Sequence, residues 1–497
     1  MSINHKLQNI YQYKDIRKAF AFLYTLCTKN LDSLADIERD EENLYQRMFM
    51  NGDMNIAFNN EWQLTFNKHF FEELHKASKN KEKASLFAIA LLNKFDAMIA
   101  GYDPKGKTGK YRGRIRARIS QRLNNPIYYE EFEIEEFQKR YVIVRKTTPA
   151  AKVWVPKEDD LKREKDYFTQ SVSTCFLHYH EVIMWDADAA SKVEINPVNK
   201  GATRTFHHSL EGIKELTIGL APYDSGFSFD VKIYESSKPK KPFRYSSIQS
   251  PAPEKVRKKL ETILNEAVKR NVDILVFPEL TIDHDAYSAI KNWLSLHNEE
   301  TGIKLVVAGS FHAEKSSGGY VNRSLMLDFY GNTVWEHIKK APFILSHNDI
   351  NKSPHVDKIC KEFGITPGNS LIEKIQTASP LVMIDTPIGR MATLICLDYL
   401  NTIVPEILRD VSCDFFWVPA MTPSTNDFKR EARDTYAKKF RVFSTVCASR
   451  SICELLGTNE KAESFIWVPM KNFNSGKAMK NKNGLITLKL EQNDNIE

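Results

Sequence analysis

The chain has 497 residues, 42% of them hydrophobic and 11% aromatic, with a formal net charge of +7. That length accommodates about two to four domains, and this composition excludes a largely disordered chain, while the charge permits weak attraction to polyanions without demanding it. There is no apolar run long enough for a bilayer and no signal-peptide pattern at the first residues, so a cytoplasmic protein without a membrane partner is expected.

In chain order, roughly the first hundred residues carry helical periodicity. Asp15 to Leu26 and Lys83 to Phe95 both repeat apolar residues at three- and four-residue spacing. A basic stretch from Lys105 to Arg122 follows, then an acidic one from Glu130 to Glu136. Strand-like pieces come next at 141–145 and 181–185, and a polar segment from Asn196 to His208 reads as a linker. From Leu216 onward short apolar strands alternate with amphipathic helices. Strands are predicted at 216–221, 273–277, 304–309, 323–329, 391–395, 415–419, 442–446 and 485–490, with a helix over 253–269. That alternation means an α/β domain. The expected organisation is a helical region over 1–125 ending in the basic segment, a β-containing region and linker over 126–212, and the α/β domain over 213–492. The first two can form one mixed, mainly helical domain.

The cysteines Cys27, Cys175, Cys360, Cys396, Cys413, Cys447 and Cys453 are scattered, without a Cys-x-x-Cys pair. Reduced thiols are therefore expected, most of them buried as small hydrophobes. Cys396 differs in its setting. It ends the apolar strand begun at Met391, with Asp398 two residues on and Pro405 and Glu406 beyond. A nucleophile at such a strand-to-helix turn can be faced by backbone N–H groups.

Two upstream positions give the thiol partners. Glu279 ends the strand of the Phe-Pro-Glu run, and Lys339 precedes Ala341-Pro342-Phe343 after a strand–turn–strand. A free thiol, with a pKa of about 8.5, is mostly protonated at neutral pH and needs a base. Glu279 supplies one, and Lys339 supplies positive charge for a growing oxyanion. Lys340 competes with Lys339, but the four-residue offset to Phe343 favours Lys339.

The Phe-Pro-Glu strand end, the lysine before a phenylalanine, and the Cys-x-Asp turn before Pro-Glu resemble the nitrilase, or carbon–nitrogen hydrolase, superfamily over about residues 214–490. The resemblance implies a four-layer α-β-β-α sandwich, a homo-oligomer, and hydrolysis of a non-peptide carbon–nitrogen bond through a cysteine thioester. It implies Glu279, Lys339 and Cys396 as the catalytic residues, the Leu397 N–H as oxyanion donor, and a small amide, favoured over a nitrile, as substrate. It also implies a second glutamate near a Pro-Gly, for which Glu362 before Pro367-Gly368 is the candidate. No cofactor and no metal are needed. The sequence departs from the family pattern in Leu397 and Ile338, and in a long stretch before Cys396 that suggests an insertion at 346–363.

Other motifs receive blander readings. Gly101 to Thr108 fits a written P-loop pattern, but a helical rather than a strand pattern precedes it, so it reads as a basic loop. Arg112, Arg114, Arg116 and Arg118 would share one face of a strand, a stripe suited to nucleic-acid phosphates or, more simply, a solvated face balanced by the acidic block. His178 and His180 lack a third ligand at convincing spacing. Two rival functions follow. One is an acyltransferase using the same triad. The other is a nucleic-acid- or protein-binding effector or scaffold, as in bacterial defence-type fusions.

Overall fold

In a computed structural model, the described residues are 3–30, 56–58, 62–99, 132–145, 154–156, 180–186, 202–223, 230–233, 240–247, 253–298, 301–316, 318–352, 357, 360–361, 369–377, 381–401, 404–405, 413–437, 442–449, 462–468 and 485–492. The chain divides into two units, residues 1–147 with 167–191, and residues 148–166 with 192–497. The P-loop-like segment, the arginine stripe, His178 and Glu362 lie outside the described residues. No described helix is long and apolar enough to cross a membrane.

In the first unit, Asp15 caps the helix Ile16–Lys29, its carboxylate accepting from Arg17 N at 2.8 Å. Helix Lys81–Ile99 packs beside it, burying Phe87, Leu91 and Phe95. A three-stranded antiparallel sheet of Phe132–Ile134, Lys139–Arg145 and His180–Asp186 contributes Ile134, Tyr141, Ile143 and Val182 to the same core. At the acidic block, Glu136 pairs with Lys6 and accepts from the Tyr13 hydroxyl at 3.2 Å.

In the second unit, Ile274–Val276 lies parallel to both Glu215–Leu220 and Leu305–Val307, in the middle of an eight-stranded sheet. All three residues of Ile274–Val276 are buried, as expected for a central parallel strand covered on both faces. The crossover helix Pro253–Lys269 begins on proline, whose missing N–H costs a first turn nothing. Its Leu260, Leu264 and Ala267 pack on Leu275 and Phe277, together with Ile290 and Leu294 of helix His284–His297. A five-stranded sheet runs in the order Met383–Thr386, Gly389–Thr393, Phe415–Met421, Phe443–Ser449, Phe465–Trp467. Ile218, Ile274 and Val307 from the first sheet meet Met391, Phe415, Trp417 and Phe443 from the second in one apolar layer. A four-stranded sheet includes Ser370–Glu373, paired with Ile344–Leu345 and Lys240–Ser247.

Two details correct the expected boundary near residue 212. Strand Trp154–Pro156 pairs with Ile486–Gln492, so it belongs to the second unit's large sheet. Its Trp154 ring is fully buried, and its indole N–H donates to Ile388 O at 3.0 Å. The segment read as a linker holds helix Ala202–Ser209, whose Phe206 is buried near Trp335. In both places an aromatic ring gains more from burial than a linker could offer.

Candidate active site

Three strand ends converge. Glu279 follows Ile274–Val276, Lys339 follows Thr333–Ile338, and Cys396 follows Gly389–Thr393. Leu280 and Cys396 both have positive φ, 54° and 49°. For a branched and a sulfur-bearing side chain this is strained backbone, of the kind held only where surrounding contacts over-determine it. At Cys396 the backbone N–H donates to Pro419 O at 2.9 Å, and the helix Leu397–Leu400 starts immediately after. At Leu280 the N–H donates to Ser310 Oγ at 3.2 Å. Gly309 shapes the same corner, because a Cβ there would meet Pro278 O at 2.2 Å. Only glycine lets the loop after Leu305–Val307 close against the base-bearing turn.

The site's side chains are buried and hydrogen-bonded to one another, apart from Asn322 Oδ1, which has no partner among the described residues. Lys339 Nζ donates to Glu279 Oε1 and to Glu373 Oε2, each at 2.8 Å. Asn322 Nδ2 donates to the Oε1 atoms of both glutamates at 3.0 Å. Glu373 also accepts from His312 Nε2 at 2.7 Å and from Phe343 N at 2.8 Å. Glu279 Oε2 accepts from Met421 N at 3.0 Å, while Met421 O receives the Cys396 thiol at 3.7 Å. The Met421 peptide groups thus bind both the Glu279 carboxylate and the Cys396 thiol. A carboxylate offers about four acceptor positions. Glu373 spends all four on these donors. Glu279 spends three, and its charge acts on the neighbouring Cys396 thiol.

The electrostatics separate the two acids. Burial raises the Glu279 pKa, and the neighbouring Glu373 charge adds to the rise against the opposing pull of Lys339. Burial pushes Glu373 up as well, but Lys339 and His312 overrule it and hold the carboxyl well below its usual range. Burial alone would lower Lys339, yet the two carboxylates keep it charged, well above the ordinary lysine value. The Cys396 thiol is raised by burial and by Glu279, with Lys339 opposing. A thiol and a carboxyl both raised by burial thus stand beside an ammonium held charged, an arrangement in which a carboxylate is placed to take a thiol proton.

Asp398 bonds more than the local backbone. Its carboxylate accepts from Ile395 N at 3.3 Å, but also from Lys340 N at 2.8 Å, Ala341 N at 2.7 Å and His337 Nε2 at 2.8 Å. The nucleophile turn and the lysine segment are thereby tied together, 58 residues apart in sequence between Lys340 and Asp398. Lys340, half-buried, is lowered to about 8 by desolvation, with Asp398 opposing, and stays outside the carboxylate pair.

Glu279, Lys339 and Cys396 come together as read from the sequence, and Leu397 is the first residue of the short helix. The second carboxylate on Lys339 is Glu373, five residues beyond Gly368, whereas Glu362 lies outside the described residues. Sequence reading also missed Asn322, His312 and the Met421 backbone. Glu373 had one signal, a charged residue ending the apolar strand Ser370–Glu373. Asn322 and His312 had none, since a polar residue on a strand is ordinarily read as solvent-facing.

No protein-family profile and no curated protein matches the sequence. Nitrilase-superfamily members are among the solved structures to which this chain is similar. Nit3 of Saccharomyces cerevisiae is 16% identical over 56% of this chain and 90% of its own, with a TM-score of 0.37. An amidase from Nesterenkonia sp. is 13% identical over 56% of this chain and 91% of its own, with a TM-score of 0.35. The glutamine-dependent NAD+ synthetase of Acinetobacter baumannii is 13% identical over 57% of this chain and 48% of its own, also at 0.35.

Proposed function

We propose that residues 213–492, completed by the strand Trp154–Pro156, form a nitrilase-like α-β-β-α domain that hydrolyses a small non-peptide amide, in preference to a nitrile, through a thioester on Cys396. The observation that carries this reading is that one peptide residue, Met421, binds Glu279 Oε2 at 3.0 Å and the Cys396 thiol at 3.7 Å, while Lys339 holds the carboxylate's other oxygen at 2.8 Å.

Glu279 takes the thiol proton as sulfur attacks the carbonyl carbon. The negative charge that grows on the carbonyl oxygen is met by Lys339 Nζ and the Leu397 N–H. Collapse of the tetrahedral intermediate breaks the carbon–nitrogen bond, and Glu279 returns its proton to the departing amine. Water, giving a proton to the same carboxylate, then attacks the thioester and frees the acid. The thiol recovers the proton, so Glu279 ends as it began.

The test is peptide-level mass spectrometry of Cys396 after acid quench of reactions with a panel of primary amides and nitriles. An acyl adduct on Cys396, matched by acid release and absent from Cys396→Ala, is the expected result. Turnover retained in Cys396→Ala would sink the assignment.

A further inference from the structure

His312 stands one bond away from the chemistry. Its side chain is 3% exposed, and Nε2 lies 2.7 Å from Glu373 Oε1, while Lys339 holds the carboxylate's other oxygen, Oε2. It is carried by the strand Phe311–Glu314, where it is the register partner of Asn322, the other donor to the same Oε1. Two neighbouring strands therefore deliver two donors to one oxygen of one acid.

We propose that His312 is a positioning residue for the hydrolase chemistry proposed above, which fills the last acceptor position of Glu373 and so leaves Glu279 as the one carboxylate able to accept the Cys396 proton. The two glutamates differ in their balance of donors. Lys339 and Asn322 each serve both glutamates, so neither distinguishes them. Phe343 N is given to Glu373 and Met421 N to Glu279, one peptide group each. His312 is the donor that breaks the tie. With it, Glu373 has four donors and stays anionic. Without it, both acids would have three protein N–H donors in a site that holds one ammonium between them. A buried carboxylate missing a donor loses stabilisation of its charged form.

The consequence passes to the base. The Glu373 charge is one of the causes that raise Glu279. If Glu373 gains a proton, Lys339 is left with Glu279 alone, the ion pair tightens, and Glu279 becomes a weaker base. His312 thus governs the thiol without touching it.

Iodoacetamide is the probe, because alkylation needs the thiolate and does not depend on knowing the substrate. The rate of carbamidomethylation at Cys396 is followed by peptide mass spectrometry on the full chain. His312→Leu is expected to slow it about tenfold, and His312→Gln, which keeps an N–H donor of similar reach, to stay within about threefold of the wild type. His312→Asn, too short to reach, replaces the leucine variant if that one does not fold. In a Glu373→Gln background the loss of His312 should change the rate by less than about twofold, since the two act as a unit. An unchanged rate in His312→Leu, an equal loss in His312→Gln, or a full tenfold loss persisting in the Glu373→Gln background each overturns the proposal. Glu279→Gln is the separate control. It should slow alkylation by about a hundredfold, and a normal rate there would refute the base assignment itself, not the role of His312.

Discussion

The five-stranded sheet presents two buried cysteines at opposite ends of parallel strands, and the contrast between them bears on why Cys396 is the one proposed as nucleophile. At the carboxyl ends, Cys396 follows strand Gly389–Thr393, and Met421 closes Phe415–Met421. At the amino ends, Cys413 and Asp414 lead into the same Phe415–Met421, with Arg390 beside them. Each end holds a buried thiol, a carboxylate and a cation, and burial raises both thiols well above their ordinary value. The difference lies in what the polar groups face. Cys413 donates to Arg390 O at 3.6 Å and Phe415 O at 3.5 Å, while Asp414 accepts from Arg390 N at 2.8 Å. Those are strand-to-strand ties. Cys396 sits instead on a turn of positive φ, and its thiol donates to Met421 O, whose own N–H binds Glu279 beside the Lys339 ammonium.

The largest effect should come from exchanging the two thiols' fates. Cys396→Ser is expected to remove turnover to background, a loss of about a thousandfold or more, with little change in melting temperature. Cys413→Ala should do the reverse, leaving turnover within about threefold while costing about 1–2 kcal/mol of stability measured by denaturant unfolding. A reactive Cys413 would erase the contrast.

A smaller effect is expected from untying the carboxyl-end site. Asp398→Asn cannot accept from Lys340 N, Ala341 N, Ile395 N and His337 together, since an amide has one oxygen. The expected outcome is a fall in kcat of roughly 10- to 100-fold, with a stability loss of about 2–4 kcal/mol. A kcat equal to the wild type's would show that the turn keeps its place without the tie.

The smallest lies far from the chemistry. Asp273, whose Oδ2 accepts from Thr217 N at 2.7 Å, is raised by burial to about 6. Its folded pKa exceeds the unfolded value of about 4, so the folded state binds the proton more tightly. This contribution to stability is complete below about pH 4 and is lost as pH rises through about 6. Asp273→Asn should remove a decline of about 1–3 kcal/mol across that window, read from urea midpoints at pH 4, 5, 6 and 7.

Much of this was legible in residue order. Helix Pro253–Lys269 and the strands around Leu216, Ile274, Leu305 and Phe415 follow from local apolar periodicity, which depends on neighbours in sequence. Glu279, Lys339 and Cys396 stood out as candidates because their flanks, Phe-Pro-Glu, the lysine before Phe343 and the Cys-x-Asp turn, are short runs met in a fixed order. Glu373 was missed because its partner is chosen across the sheet, 34 residues from Lys339. Trp154 was assigned to the wrong part of the chain because a three-residue edge strand has too little pattern to reveal its sheet.

By itself, the sequence determined which segments become strands and helices in the second unit and which three residues stand as candidates for the reactive groups, since both are properties of short runs. Only the tertiary structure decided that Glu373 is the second acid, that Asp398 ties the lysine to the nucleophile turn, and that Cys396 and Cys413 differ in role. Those outcomes depend on which donors remain for which acceptors once distant strands meet, and hydrogen-bond satisfaction of that kind exists only in the folded chain.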